Sequence, residues 1–185
     1  MINFRNEEIK FMPEIEKIIK DNFRLFPQDV INVNLSTTEE DTKESFDLVY
    51  KSKVEVSVRI REYSYLKQFG DFTIRSRSYC GNQTEIDKLI AGKGSIYLYA
   101  WKSITGMALE AWILVDINKC RKMFTEINVA DQYNYDGTAF KSYNYNMIKE
   151  YDAIINYYNI DCIIKKIDET IRNYPNGFKK NYFLI

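Results

Sequence analysis

Apolar residues recur at helical spacing from the first turns of the chain. Ile9, Met12, Ile15, Ile19 and Phe23 repeat every three or four positions with Glu and Lys between them, which predicts a helix over residues 5–23. Pro13 lies inside that pattern and either starts the helix or kinks it. Val30 to Leu35 reads as a strand, and the acidic stretch Ser36–Ser45 as an exposed loop. Phe46–Tyr50 predicts a short strand. From Lys53 to Glu62 the period becomes two: Val54, Val56, Val58 and Ile60 alternate with Glu55, Ser57, Arg59 and Arg61. A second alternating strand follows Gly70, with Phe72 and Ile74 on one face and Asp71, Thr73, Arg75 and Arg77 on the other.

Cys80–Gln83 predicts a turn, and Thr84 with Asp87 a capping box before a helix that stops at Gly92. Ser95–Trp101 and the nearly apolar Ala111–Ile117 predict two strands joined by a hairpin at Thr105-Gly106. Asn118–Ile127 predicts a helix. Residues 131–146, rich in Asn and Tyr, read as a loop and a candidate recognition surface, because Tyr gives contact area at little entropic cost. Ile148–Tyr174 returns to helical spacing, and Asn159 marks a candidate break. The expected fold is a single α/β domain over residues 1–185, a mixed central sheet flanked by helices. Residues 1–117 would form its core and 118–185 a helical extension carrying the Tyr/Asn-rich loop.

Composition narrows the chemistry. The chain has 185 residues, with 26 Lys+Arg against 26 Asp+Glu, so a globally basic nucleic-acid binder is excluded while a local basic patch is not. It contains no histidine, which removes Ser-His-Asp and Cys-His catalysis and His-ligated zinc. Cys80, Cys120 and Cys162 form no C-x-x-C pair and read as inert thiols of a reducing cytoplasm. The start carries no signal-peptide core, and no apolar run approaches the ~20 residues of a membrane span. The expectation is a soluble cytoplasmic protein with no membrane partner.

Three constellations could carry function. Arg59, Arg61, Arg75 and Arg77 would cluster if their strands pair in one sheet. Guanidinium forks grip phosphate with two bonds, so that face could contact nucleic acid, or it could be a solvated face of cross-strand ion pairs. Tyr97, Tyr99 and Trp101 share a strand face and could stack bases, anchor an interface or fill the core. The third is Asp47, then Glu55-Val56-Ser57-Val58-Arg59, then Glu85 and Lys88.

An Asp on a short strand, followed by an alternating strand with an acid-x-base pattern, resembles the PD-(D/E)XK nuclease superfamily. The order of a leading helix, strands, a helix and a further strand resembles it too. The resemblance implies a restriction-endonuclease-like fold and Mg²⁺ held by Asp47 and Glu55. Ser57 stands at the Lys position, or Ser57-Val58-Arg59 occupies the motif with Arg in place of Lys. Glu85 and Lys88 on the following helix could replace the missing members, and Glu14 or Glu16 the acid some relatives carry on the first helix. Oxygen ligands for Mg²⁺ require no histidine. Three functions stay open. One is a catalytically eroded binding protein acting on nucleic acid or on a nucleic-acid-handling complex. The second is an active Mg²⁺-dependent nuclease using Asp47, Glu55, Glu85 and Lys88. The third is a phage or mobile-element inhibitor of a host defence complex, of the anti-CRISPR kind.

Overall fold

The computed structural model describes residues 9–23, 33–35, 48–50, 55–78 and 83–160, with 33–35 and 48–50 described as backbone. In chain order the elements are α1 (Met12–Asn22), β1 (Val33–Leu35), β2 (Leu48–Tyr50), β3 (Glu55–Glu62), α2 (Tyr63–Phe69), β4 (Asp71–Arg77) and α3 (Glu85–Ile90). They continue with β5 (Ile96–Lys102), β6 (Leu109–Asp116), α4 (Ile117–Glu126), β7 (Gln132–Tyr133), β8 (Ala139–Asn144), α5 (Tyr145–Glu150) and β9 (Ile154–Tyr158). Pro13 sits in the first turn of α1, where its missing N–H costs nothing. The capping box at α3 forms as expected: Thr84 Oγ1 accepts from the Asp87 amide, and Asp87 Oδ2 accepts from the Thr84 amide.

Six strands form a mixed sheet in the order β1-β2-β3-β5-β6-β9, in which β3 and β5 run parallel and every other pair antiparallel. The period-two pattern sorts this sheet into two cores. Val56, Val58, Ile96, Leu98, Ala100 and Leu114 face Phe11, Ile15, Ile18 and Ile19 of the α1 region. The alternate set Tyr97, Tyr99, Trp101, Ala111, Ile113 and Val115 faces a larger core. That core is closed by a second sheet, ordered β4-β8-β7, and by α3, α4 and α5. The mixed sheet is therefore covered on both faces, as its apolar β6 requires.

Three expectations are corrected. First, β3 and β4 lie in different sheets, so their arginines do not form one row. Second, residues 131–146 are not a loop. They hold the β7–β8 hairpin, which pairs with β4 and buries Tyr143 and Tyr145. The Asn residues there hide an alternation that becomes decisive only once β4 offers an edge. Third, the helical reading from Ile148 fails after Glu150. Asp152 and Asn159 adopt φ of 52° and 57°, conformations that end a helix, and they bracket β9. Ile154–Tyr158 instead takes the open edge of β6, so the stretch to Ile160 belongs to the sandwich and is no helical extension. Of the readings open for Tyr97, Tyr99 and Trp101, the core holds: all three are fully buried and pack as a tilted aromatic ladder, which removes them as base-stacking residues. Residues 161–174, the acidic loop at 36–45 and the turn at 80–82 lie outside the described residues. Helix α2 has no counterpart in the sequence reading. No described helix is long and apolar enough to cross a membrane.

Candidate functional site

The parallel register of β3 on β5 aligns Ser57 with Tyr97, Arg59 with Tyr99 and Arg61 with Trp101. The polar side of β3 therefore points into the space between the two sheets. Strand β4 arrives there as the edge of the smaller sheet. An open edge leaves backbone donors and acceptors unpaired, and these must find partners when covered. Arg59 and Glu85 supply them. Arg59 Nη1 donates to the Thr73 carbonyl at 2.8 Å, and Glu85 Oε2 accepts from the Arg75 amide at 3.0 Å. The two side chains pair with each other through Arg59 Nη2 and Glu85 Oε2 at 2.9 Å. Glu85 Oε1 also accepts from the Tyr97 hydroxyl. The ion pair thus occupies the place a neighbouring strand would take beside β4.

Arg61 lies next to it. Its Nη1 donates to Thr73 Oγ1 and to the Tyr99 hydroxyl, each at 3.1 Å, and those two oxygens share a further hydrogen bond of 2.9 Å. Thr73 and Tyr99 are buried, so each polar atom there needs a partner and Arg61 completes the set. The Arg61 guanidinium also lies over the Tyr65 ring, 4.5 Å from its centroid. Asp71 closes the end of β4. Ser142 Oγ donates to its Oδ2, and the Tyr145 hydroxyl donates to its carbonyl at 3.1 Å. Burial pushes the Asp71 carboxyl above its usual value of 3.8, against the opposing pull of the Ser142 hydrogen bond and the Arg61 charge.

Arg75 and Arg77 do not share a face. The β4–β8 register shifts between them, so Arg75 lies opposite Phe140 and Arg77 opposite Ala139. Cross-strand partners share a face and consecutive residues do not, so the bulge at Ser76 turns the two guanidiniums to opposite sides. Both arginines are exposed. Tyr133 also lies opposite Ala139, and the Arg77 guanidinium reaches across that small residue to 5.9 Å from the Tyr133 ring centroid. Tyr133 and Tyr135 are themselves exposed on the hairpin.

The carboxylates of the nuclease resemblance fare differently. Asp47 lies outside the described residues. Glu55 Oε2 accepts from the Gly94 amide at 3.0 Å, which ties the start of β3 to the turn before β5. Glu85 is engaged by Arg59, the Arg75 amide and Tyr97. Lys88 is half-buried one turn further along α3. Among the described residues no group of three or more His, Cys, Asp or Glu comes together to hold a metal ion. Sequence reasoning missed Thr73 and Tyr99 as partners of the arginines, because a two-sheet contact leaves no trace in local periodicity. The exposed Tyr133 and Tyr135 fall in the Tyr/Asn-rich segment, where aromatic richness was the available signal. Comparison with protein-family models and with curated proteins returned no match to the chain.

Proposed function

We propose that this chain is a nucleic-acid-associated binding protein that contacts its ligand through the exposed end of the smaller sheet. Arg77 lying across the ring of Tyr133 carries the reading, because it sets a cation beside an exposed aromatic face. Phosphate contacts need local cations and unpaired bases need rings. Tyr135 at the turn extends that surface, and Arg75 offers a further exposed cation on the other face of β4. Neutral overall charge fits a confined patch better than a broad basic surface. The leading α1, the strands, α3 and β5 follow one another as in the PD-(D/E)XK resemblance, with α2 and β4 inserted between β3 and α3. The engagement of Glu85 by three donors favours a catalytically eroded version of that scaffold.

Fluorescence anisotropy with labelled oligonucleotides at two salt concentrations tests this. Binding should weaken with salt, and Arg77→Ala should weaken it and lower the salt slope by about one. Binding that ignores Arg75→Ala, Arg77→Ala and Tyr133→Ala alike overturns the reading.

A further inference from the structure

A second aromatic and cationic surface lies at the opposite end of β4. On α2, Tyr65 and Phe69 are one turn apart, exposed, and stacked with ring centroids 6.0 Å apart and planes 24° from parallel. Two cations sit on rings of this region: Arg61 over Tyr65 at 4.5 Å and Lys67 over Tyr63 at 4.8 Å. Helix α2 contains no acidic residue. The nearest carboxylates are committed elsewhere, Glu62 to Lys102 at 3.0 Å and Asp71 to Ser142. Phe69, 53% exposed, holds its ring against Tyr65 and precedes Gly70, whose φ of 57° ends the helix.

The register continues this surface along the face of β4 opposite Arg77. Arg61 bonds Thr73, and Thr73 shares its β4 face with Arg75. Phe140, half-buried, lies opposite Arg75 on that same face. Aromatic, cation, cation and aromatic therefore follow one another from Phe69 and Tyr65 through Arg61 and Arg75 to Phe140. Strand β4 spans roughly 20 Å at ~3.3 Å per residue.

Resting on the function proposed above, we infer that the ligand is an unpaired nucleic-acid strand, with α2 as a second stacking platform. Positive charge selects an anion, and exposed rings select bases whose faces are free. A duplex keeps its base faces stacked inside and offers these rings nothing comparable.

The test compares a labelled oligothymidine, the matching oligouridine and a blunt duplex, with the intact chain and the Phe69→Ala and Phe69→Tyr variants. Phe69 is exposed, so far-ultraviolet circular dichroism should show each variant folded. The intact chain should hold the single strands at least about tenfold tighter than the duplex. Phe69→Ala should weaken single-strand binding by about 5- to 150-fold and leave duplex binding unchanged, and Phe69→Tyr should restore it. Equal affinity for duplex and single strand overturns the inference and leaves the binding reading standing, as does a Phe69→Ala variant that binds single strands normally. Capture of a polyglutamate probe with the same Phe69 dependence, and of neither oligonucleotide, assigns the surface to an acidic protein segment and overturns both. Failure of all three nucleic acids to bind likewise overturns both.

Discussion

Removing the Glu85 carboxylate separates a structural from a catalytic role for that residue. Its oxygens accept from Arg59 at 2.9 Å, from the Arg75 amide at 3.0 Å and from the Tyr97 hydroxyl. The Arg59 and Glu85 side chains are 25% and 19% exposed, so the pair lies between two regimes. An exposed pair contributes about 0–1 kcal/mol, and breaking a buried one costs about 3–5 kcal/mol. Glu85→Ala also strands a backbone amide at the covered edge of β4 and a phenol in the core. Together these give a loss of roughly 3 kcal/mol, which for a chain of this length lowers Tm by about 6–12 °C. Glu85→Gln keeps an acceptor without the charge and should lose about half as much. Urea and thermal unfolding followed by tryptophan fluorescence measure both, and a double-mutant cycle with Arg59→Ala should return a coupling of about 1–3 kcal/mol. A loss below about 1 kcal/mol for Glu85→Ala would place the pair among ordinary surface ion pairs. A neutral or stabilising effect, joined with loss of a Mg²⁺-dependent DNA cleavage seen in the intact chain, would mark Glu85 as an active-site acid and refute the structural account.

Two further predictions follow from buried polar groups. Burial raises the Asp71 carboxyl, so the folded state holds its proton more tightly than the unfolded chain. The stability this supplies is complete below the ordinary carboxyl value of 3.8 and fades as pH rises through the folded value; Asp71→Asn should flatten that part of the urea-midpoint profile, and an unchanged profile would contradict the assignment. The Tyr143 hydroxyl is buried with no hydrogen-bond partner among the described residues, and burial pushes its phenol up. Tyr143→Phe should therefore leave stability unchanged or raise it by about 1 kcal/mol, and a loss above about 1 kcal/mol in thermal unfolding would reveal a partner for that oxygen.

Local periodicity determined much of this protein. The alternation of Val56, Val58, Ile96 and Leu98 against Ser57, Arg59, Tyr97 and Tyr99 set which side of the central sheet each residue takes. A strand has only two faces, and the apolar set must be buried on one of them. The α3 capping box, the hairpin at Gly106 and the burial of β6 follow from side-chain chemistry within a few residues. The tertiary structure decided which strands share a sheet, and with it the fate of the arginines. Strand β4 bonds to β8, far along the chain, and leaves β3 to approach its free edge. That one choice draws Arg59 and Arg61 inward as partners for Thr73, Glu85 and Tyr99, while a single extra residue at Ser76 parts Arg75 from Arg77. Pairing partners and bulges depend on which distant edge is open when the sheets close. The chain's own alternation reads the same in either arrangement.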